Sequence, residues 1–171
     1  MIGLLLKNIL GIIGFVLLQV LILNHVSLFD GWSQPFLYIY PLIALPIILP
    51  KRFLLLIGFI TGLAIDLFTH TPGIHASAAV TLVFFRPFVL KLIRPREGFE
   101  SYNPSIISMG GIKYFTYSGL LVLIHHLWLF GLLYFSTGLI LTAIGHALLS
   151  SGFTLIFILL VQLFSHDKKT F

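Results

Sequence analysis

Hydrophobic positions in this chain gather into long runs, and polar residues are confined to the short gaps between them. The runs cover roughly residues 2–24, 35–50, 53–69, 75–93, 113–135 and 138–165. Each is apolar on every side rather than along one stripe or at alternate positions. Neither an amphipathic soluble helix nor a β-barrel strand has that pattern. About 20 apolar residues carry a helix across a bilayer, so the runs predict an all-α integral membrane protein with six spans in one domain, residues 1–171. The first run has no small-residue cleavage site after residues 8–23 and reads as a retained helix, not a secretory signal. The second is the least regular. Pro35 suits a helix start and Pro50 a stop, but Pro41 and Pro46 each remove a backbone hydrogen bond. A short, kinked span is predicted there, its freed carbonyls satisfied by neighbouring helices. Turn residues punctuate the gaps: Asp30-Gly31, Lys51-Arg52, Thr71-Pro72-Gly73, Arg94-Pro95-Arg96 and Thr137-Gly138.

Composition narrows the possible functions. Of 171 residues, 58% are hydrophobic and 9% charged, where a soluble domain carries about 25% charged residues. Six spans would consume about 120 residues and leave about 50 for all loops. That excludes an appended soluble catalytic domain, a dinucleotide-binding unit or a nucleic-acid module. The net charge of +5 comes from basic residues scattered between apolar runs, which mark topology rather than a nucleic-acid surface. With the N-terminus inside, Lys7, Lys51, Arg52, Lys91, Arg94, Arg96, Lys113, Lys168 and Lys169 all fall on the cytoplasmic side. The outer segments 25–34, 70–74 and 135–138 contain no Lys or Arg. Both termini are therefore predicted to be cytoplasmic. The longest loop, 94–112, carries Glu97, Glu100, Gly110 and Gly111 and is the obvious soluble contact surface. The absence of Cys excludes disulfides, a thiol nucleophile and Cys-based zinc sites.

Ionisable groups inside a span normally face protein or a cavity. Asp66 is the clearest case. Four-residue steps drift only about 40° around a helix, so Gly58, Gly62 and Asp66 share one face. The glycines predict close backbone packing, in this chain or against a partner. Asp66 reads either as a partner or substrate contact or as a carboxyl bonded to a neighbouring helix. In the second case, Asn is expected to replace it better than Leu. His70 and His75 flank the outer turn, while His125, His126 and His146 lie in the last two runs. With Asp66 they suggest a polar cluster in the outer half of the membrane. Adjacent side chains diverge by about 100°, so His125 and His126 cannot both face one site, and no metal-ligand spacing appears. Structural hydrogen bonding is expected, with no metal and no cofactor. Arg86, before Pro87, reads as snorkelling toward the cytoplasmic face near Lys91 and Arg94, or as the partner of a buried acid. In the last run, Gly138, Gly145 and Gly152, and separately Ala143, Ala147 and Ser151, read as helix-contact faces. No nucleophile-base-acid order, phosphate cradle or paired carboxylates can be assembled, so no enzyme is expected.

The stretch Gly62-Leu-Ala-Ile-Asp66-Leu-Phe-Thr-His-Thr-Pro72-Gly73-Ile-His75-Ala76 resembles the signature of the rod shape-determining protein MreD family. That motif has a Gly four residues before an Asp, then a short turn and Gly-x-His-Ala opening the next helix. The Arg86-Pro87 pair and His125-His126 are similar to one bacterial branch of the family. The three-proline second run and the longer 94–112 loop depart from it. The resemblance implies an inner-membrane scaffold of lateral wall synthesis. Its partners would be the single-span protein MreC, with the actin-like MreB, the glycosyltransferase RodA and a penicillin-binding transpeptidase. Membrane lipid and a second copy of the chain are further candidate partners. The family's fold is thought to be similar to substrate-binding subunits of energy-coupling-factor vitamin transporters, which supplies an alternative: a small-molecule-binding transport subunit.

Overall fold

Five of the six apolar runs form long helices in the computed structural model, which describes residues 2–26, 29, 31–93 and 103–166. The turn residue Asp30 and the charged residues Arg94, Arg96, Glu97, Glu100, Lys168 and Lys169 lie outside the described residues. Helices α1 (Ile2–Leu21), α3 (Lys51–Thr69), α4 (Ile74–Ile93), α6 (Gly111–Leu133) and α7 (Ile140–His166) are joined by short pieces, of which α2 (Tyr40–Ala44) and α5 (Ile106–Met109) are the helical ones. All five long helices contain a stretch apolar and long enough to cross a membrane. The chain is a multi-pass membrane protein.

The second run is not a spanning helix, and this corrects the expectation for residues 35–50. It forms a single 3-10 turn, Leu37–Ile39, and then the five-residue α2. The prolines explain the break. Pro41 is tolerated in the first turn of α2, where a missing N–H has no helical partner to lose. Pro46 cannot continue that helix, and Leu45 before it is driven to an extended ψ of 149°. Pro50 then stands before α3 as its N-cap, with ψ 143°. Despite its irregular backbone, this segment is deeply buried. Tyr38, Ile39, Leu42 and Ile43 have no exposed surface.

The segment occupies the middle of the bundle. Helix α3 packs along α4, α4 along α6 and α6 along α7, while α1 lies against α3 and the 37–44 segment. Contact register fixes the segment's direction. Gln34 and Phe36 meet Ser150 and Thr154 of α7, and Tyr40 meets Gln162 further along that helix. On α1 the order reverses, with Gln19 at Pro35 and Leu37 and Phe15 beside Tyr40. The segment thus runs parallel to α7 and antiparallel to α1. The twelve-residue separation from Ser150 to Gln162 corresponds to about 18 Å along the α7 axis.

Part of the 94–112 loop also joins the bundle. Ser105 and Ser108 form a reciprocal cap on α5, Met109 is buried, and the Ile106 N–H donates to Gln162 Oε1 at 3.4 Å. On α7, Ala143, Ala147 and Ser151 face inward as expected. The glycine series does not form a face. Gly138 precedes the helix with φ +69°, Gly145 abuts Trp32, and a Cβ on Gly152 would meet open space.

Candidate functional site

The face with Gly58, Gly62 and Asp66 is closed by this chain's own α4. A Cβ on Gly62 would lie 2.4 Å from the His75 carbonyl oxygen and 2.5 Å from Ala76 Cα. At Gly58 it would lie 2.8 Å from Val83 Cγ2 and 3.2 Å from the Ala79 carbonyl oxygen. Backbone meets backbone only because both positions lack a side chain. One turn further, the Asp66 carboxyl, 3% exposed, reaches the start of α4. Its Oδ1 accepts from Thr71 Oγ1 at 2.9 Å and from the His75 N–H at 2.9 Å. Its Oδ2 accepts from the N–H groups of Gly73 at 3.1 Å and Ala76 at 2.9 Å. The first N–H groups of a helix have no intrahelical acceptor and carry its positive dipole end. Asp66 supplies that acceptor from the preceding helix. The tight turn needed to bring it there uses left-handed backbone at His70 (φ 55°) and Gly73 (φ +83°).

The histidines separate into three small sets. His75 Nδ1 and His125 Nε2 lie 3.2 and 2.7 Å from the same Tyr38 hydroxyl. That hydroxyl has one proton, so it donates to one ring and accepts from the other. His126 turns toward α7. Its Nδ1 is 2.8 Å from the Val122 carbonyl oxygen, which can only accept, so the proton sits on Nδ1. Nε2 then accepts from the Thr154 hydroxyl at 3.3 Å, and that hydroxyl accepts the Phe36 N–H at 3.0 Å. Between these sets stands the Phe36 ring, 5.6 Å from His75, 6.4 Å from His125 and 5.3 Å from His126. His146 belongs to the end of the bundle where α6 meets α7. Its Nε2 is 2.9 Å from the Tyr134 hydroxyl, and its ring stacks on Trp32 at 4.7 Å. His70 is exposed at the end of α3 and joins none of them. Among the described residues no three His, Asp or Glu side chains are placed to hold a metal.

Arg86 neither snorkels nor pairs with an acid. It is 1% exposed, and its Nε donates to the Tyr117 hydroxyl at 2.8 Å while Nη2 donates to the Leu45 carbonyl. The Tyr117 hydroxyl in turn donates to the Ile43 carbonyl oxygen at 2.8 Å. Both carbonyls sit at the end of α2, where Pro46 stops the helix and leaves them without backbone donors. A cation at a helix C-terminus also favours the dipole.

The same arrangement holds the start of the segment. Gln19 donates to the Pro35 carbonyl oxygen at 3.0 Å and accepts the Leu37 N–H at 2.7 Å. Gln162 donates to the Tyr40 hydroxyl at 2.9 Å. Sequence reading singled out Asp66, Arg86 and the histidines but missed Gln19, Tyr38, Tyr117, Thr154 and Gln162. Their available signal was an uncharged polar side chain inside an apolar run. Chemically, the interior polar groups clamp an irregular backbone at membrane depth, which lipid would not tolerate without such partners. Searches with family models, among curated proteins and among solved structures found no match to this chain.

Proposed function

We propose that the chain is a non-enzymatic scaffold of the lateral wall-synthesis machinery in the bacterial inner membrane, of the MreD kind. In this reading it binds an MreC-like single-span protein and acts with MreB, RodA and a penicillin-binding transpeptidase. The observation that carries the reading is the 62–76 stretch, whose motif residues act together as one α3–α4 joint. Gly62 admits the α4 backbone, Asp66 caps that helix, Gly73 makes the turn, and the His75 ring reaches Tyr38. A motif that builds a joint suits a protein whose task is to present fixed helix faces. The vitamin-subunit alternative needs an enclosed cavity lined by polar groups, whereas Phe36 and Tyr38 pack directly against His75, His125 and His126. The topology included in this reading is six crossings with the ends of α1 and α7 in the cytoplasm. The direction of the 35–45 segment supports the even number, and the basic residues support the orientation.

Depletion in growing cells tests the role. The expected outcome is cells that widen and round while wall precursors continue to be made, and recovery of an MreC-like protein in a mild-detergent pull-down. Cells that keep their shape but lose uptake of one vitamin would transfer the chain to the transport reading.

A further inference from the structure

We infer that the α3–α4 face bearing Lys51, Phe84, Phe88 and Lys91 is a binding surface for an anionic diacyl phospholipid. The inference rests on the chain sitting in a bilayer and not on its role in wall synthesis. Positions 84, 88 and 91 of α4 fall within about 60° of one another around the helix. The Phe84, Phe85 and Phe88 rings touch, at centroid distances of 5.4, 5.7 and 6.1 Å. They are 50, 42 and 48% exposed on the outside of the bundle. Exposed aromatic rings occur elsewhere on the bundle, as at Phe59, Phe115 and Trp128; what sets this patch apart is three touching rings with a lysine ammonium over one of them.

Cations border the patch at one edge. Lys51, at the start of α3, places its ammonium 5.4 Å from the centre of the Phe88 ring. Lys91 follows Phe88 by one turn on α4 and is exposed. Beside them Arg52 lies over Phe53, with its guanidinium carbon 5.2 Å from that ring's centre. Among the described residues the only carboxylate side chain is Asp66, buried at the opposite end of α3. Described side chains therefore leave the charge at this edge unneutralised. Lys51 is held over an aromatic ring at the foot of an apolar face, where a lipid phosphate would lie between it and Lys91. The acyl chains would then run along the Phe84 and Phe88 rings. A zwitterionic lipid carries its own ammonium into that space and is disfavoured. Basic sites between helices at the cytoplasmic edge are a known form of acidic-lipid recognition.

The test is native mass spectrometry of the full chain in mild detergent, titrated with phosphatidylglycerol or with phosphatidylcholine of the same acyl chains. Phosphatidylglycerol is expected to bind more tightly. The double variant Lys51→Gln/Lys91→Gln is expected to lose at least about fivefold in its affinity, the weight of one cation near a membrane surface. Lys7→Gln/Lys113→Gln removes equal charge from the same edge, on α1 and α6, and is expected to cost clearly less. Phe88→Leu is expected to weaken both lipids, with the thermal transition of every variant confirming the fold. Equal binding of the two lipids overturns the inference, as does an equal loss in the Lys7/Lys113 control. Displacement of bound phosphatidylglycerol by a glutamate-rich peptide at equal charge would assign the surface to an acidic protein segment instead, and overturn it too.

Discussion

At position 66 the side chain is surrounded by donors only. Three backbone N–H groups and one hydroxyl point at its two oxygens. Asn has one acceptor oxygen and would aim its NH2 at N–H groups that also donate. Asn keeps the shape and one acceptor oxygen while Leu keeps neither acceptor, so Asn is still expected to be tolerated better than Leu, with both below Asp. Each buried donor left unsatisfied costs about 1–3 kcal/mol. Asp66→Asn and Asp66→Leu are both expected to lower the thermal transition in detergent, Leu by more because it leaves all four donors without an acceptor. Wild-type stability of the Asn variant would remove the cap from the account of α4. Gly62→Ala is expected to cost about 1–3 kcal/mol, since its Cβ would strike backbone that cannot rotate away. Gly152→Ala meets open space and is expected to be neutral or slightly stabilising. The shared face of residues 58, 62 and 66 was legible from helical spacing alone. What that face contacts was not, because the answer depends on the left-handed turn at His70 and Gly73.

The element whose backbone departs from the sequence pattern is the 35–50 run, which is broken where a kinked helix was expected. Apolarity reports that a segment avoids water and does not distinguish lipid contact from burial in protein. Residues 37–45 satisfy the pattern by lying inside the bundle, where their neighbours are other helices. The prolines correctly signalled broken backbone and carbonyls in need of donors. Which side chains would supply them was not visible, because Gln19, Arg86 and Tyr117 are remote in sequence and meet the segment only through tertiary packing. Arg86 was misplaced for a related reason: nearby Lys91 and Arg94 made the cytoplasmic edge look within reach. Arg86 and Tyr117 form one network, since the hydroxyl accepts from Arg86 and donates to Ile43. Arg86→Leu and Tyr117→Phe are each expected to destabilise by about 1–3 kcal/mol. The double variant should fall short of their sum by about 0.5 kcal/mol or more, since the shared bond can be lost only once. Arg86→Lys should not rescue stability, because a single ammonium cannot reproduce the planar fork toward two acceptors. Strict additivity in reversible unfolding would mean that the two residues act separately.

For the molecule as a whole, the question is whether the irregular segment counts as a crossing. Helix count alone gives five, which would put the ends of α1 and α7 on opposite sides. Contact register points the other way. The segment starts beside Gln19, near the end of α1, and finishes where Arg86 bonds Leu45, more than half-way along α4 toward Ile93. Helix α3 then begins at Lys51, beside Phe88. A chain that returned to its starting side could not begin α3 next to the last part of α4. The described basic residues agree: Lys7, Lys51, Arg52, Lys91 and Lys113 stand at the ends of their helices that this register places together. Charge asymmetry and packing are independent, since one concerns insertion and the other the folded bundle. Reporters fused after residues 52, 96 and 171 are therefore expected to be cytoplasmic, and those after 30, 72 and 137 external. The pair at 30 and 52 is decisive because it brackets only the segment in question. Opposite sides make the segment a crossing. Identical sides would make it a plug inserted from the outer face, and α3 through α7 would then be inverted relative to the basic residues that orient them.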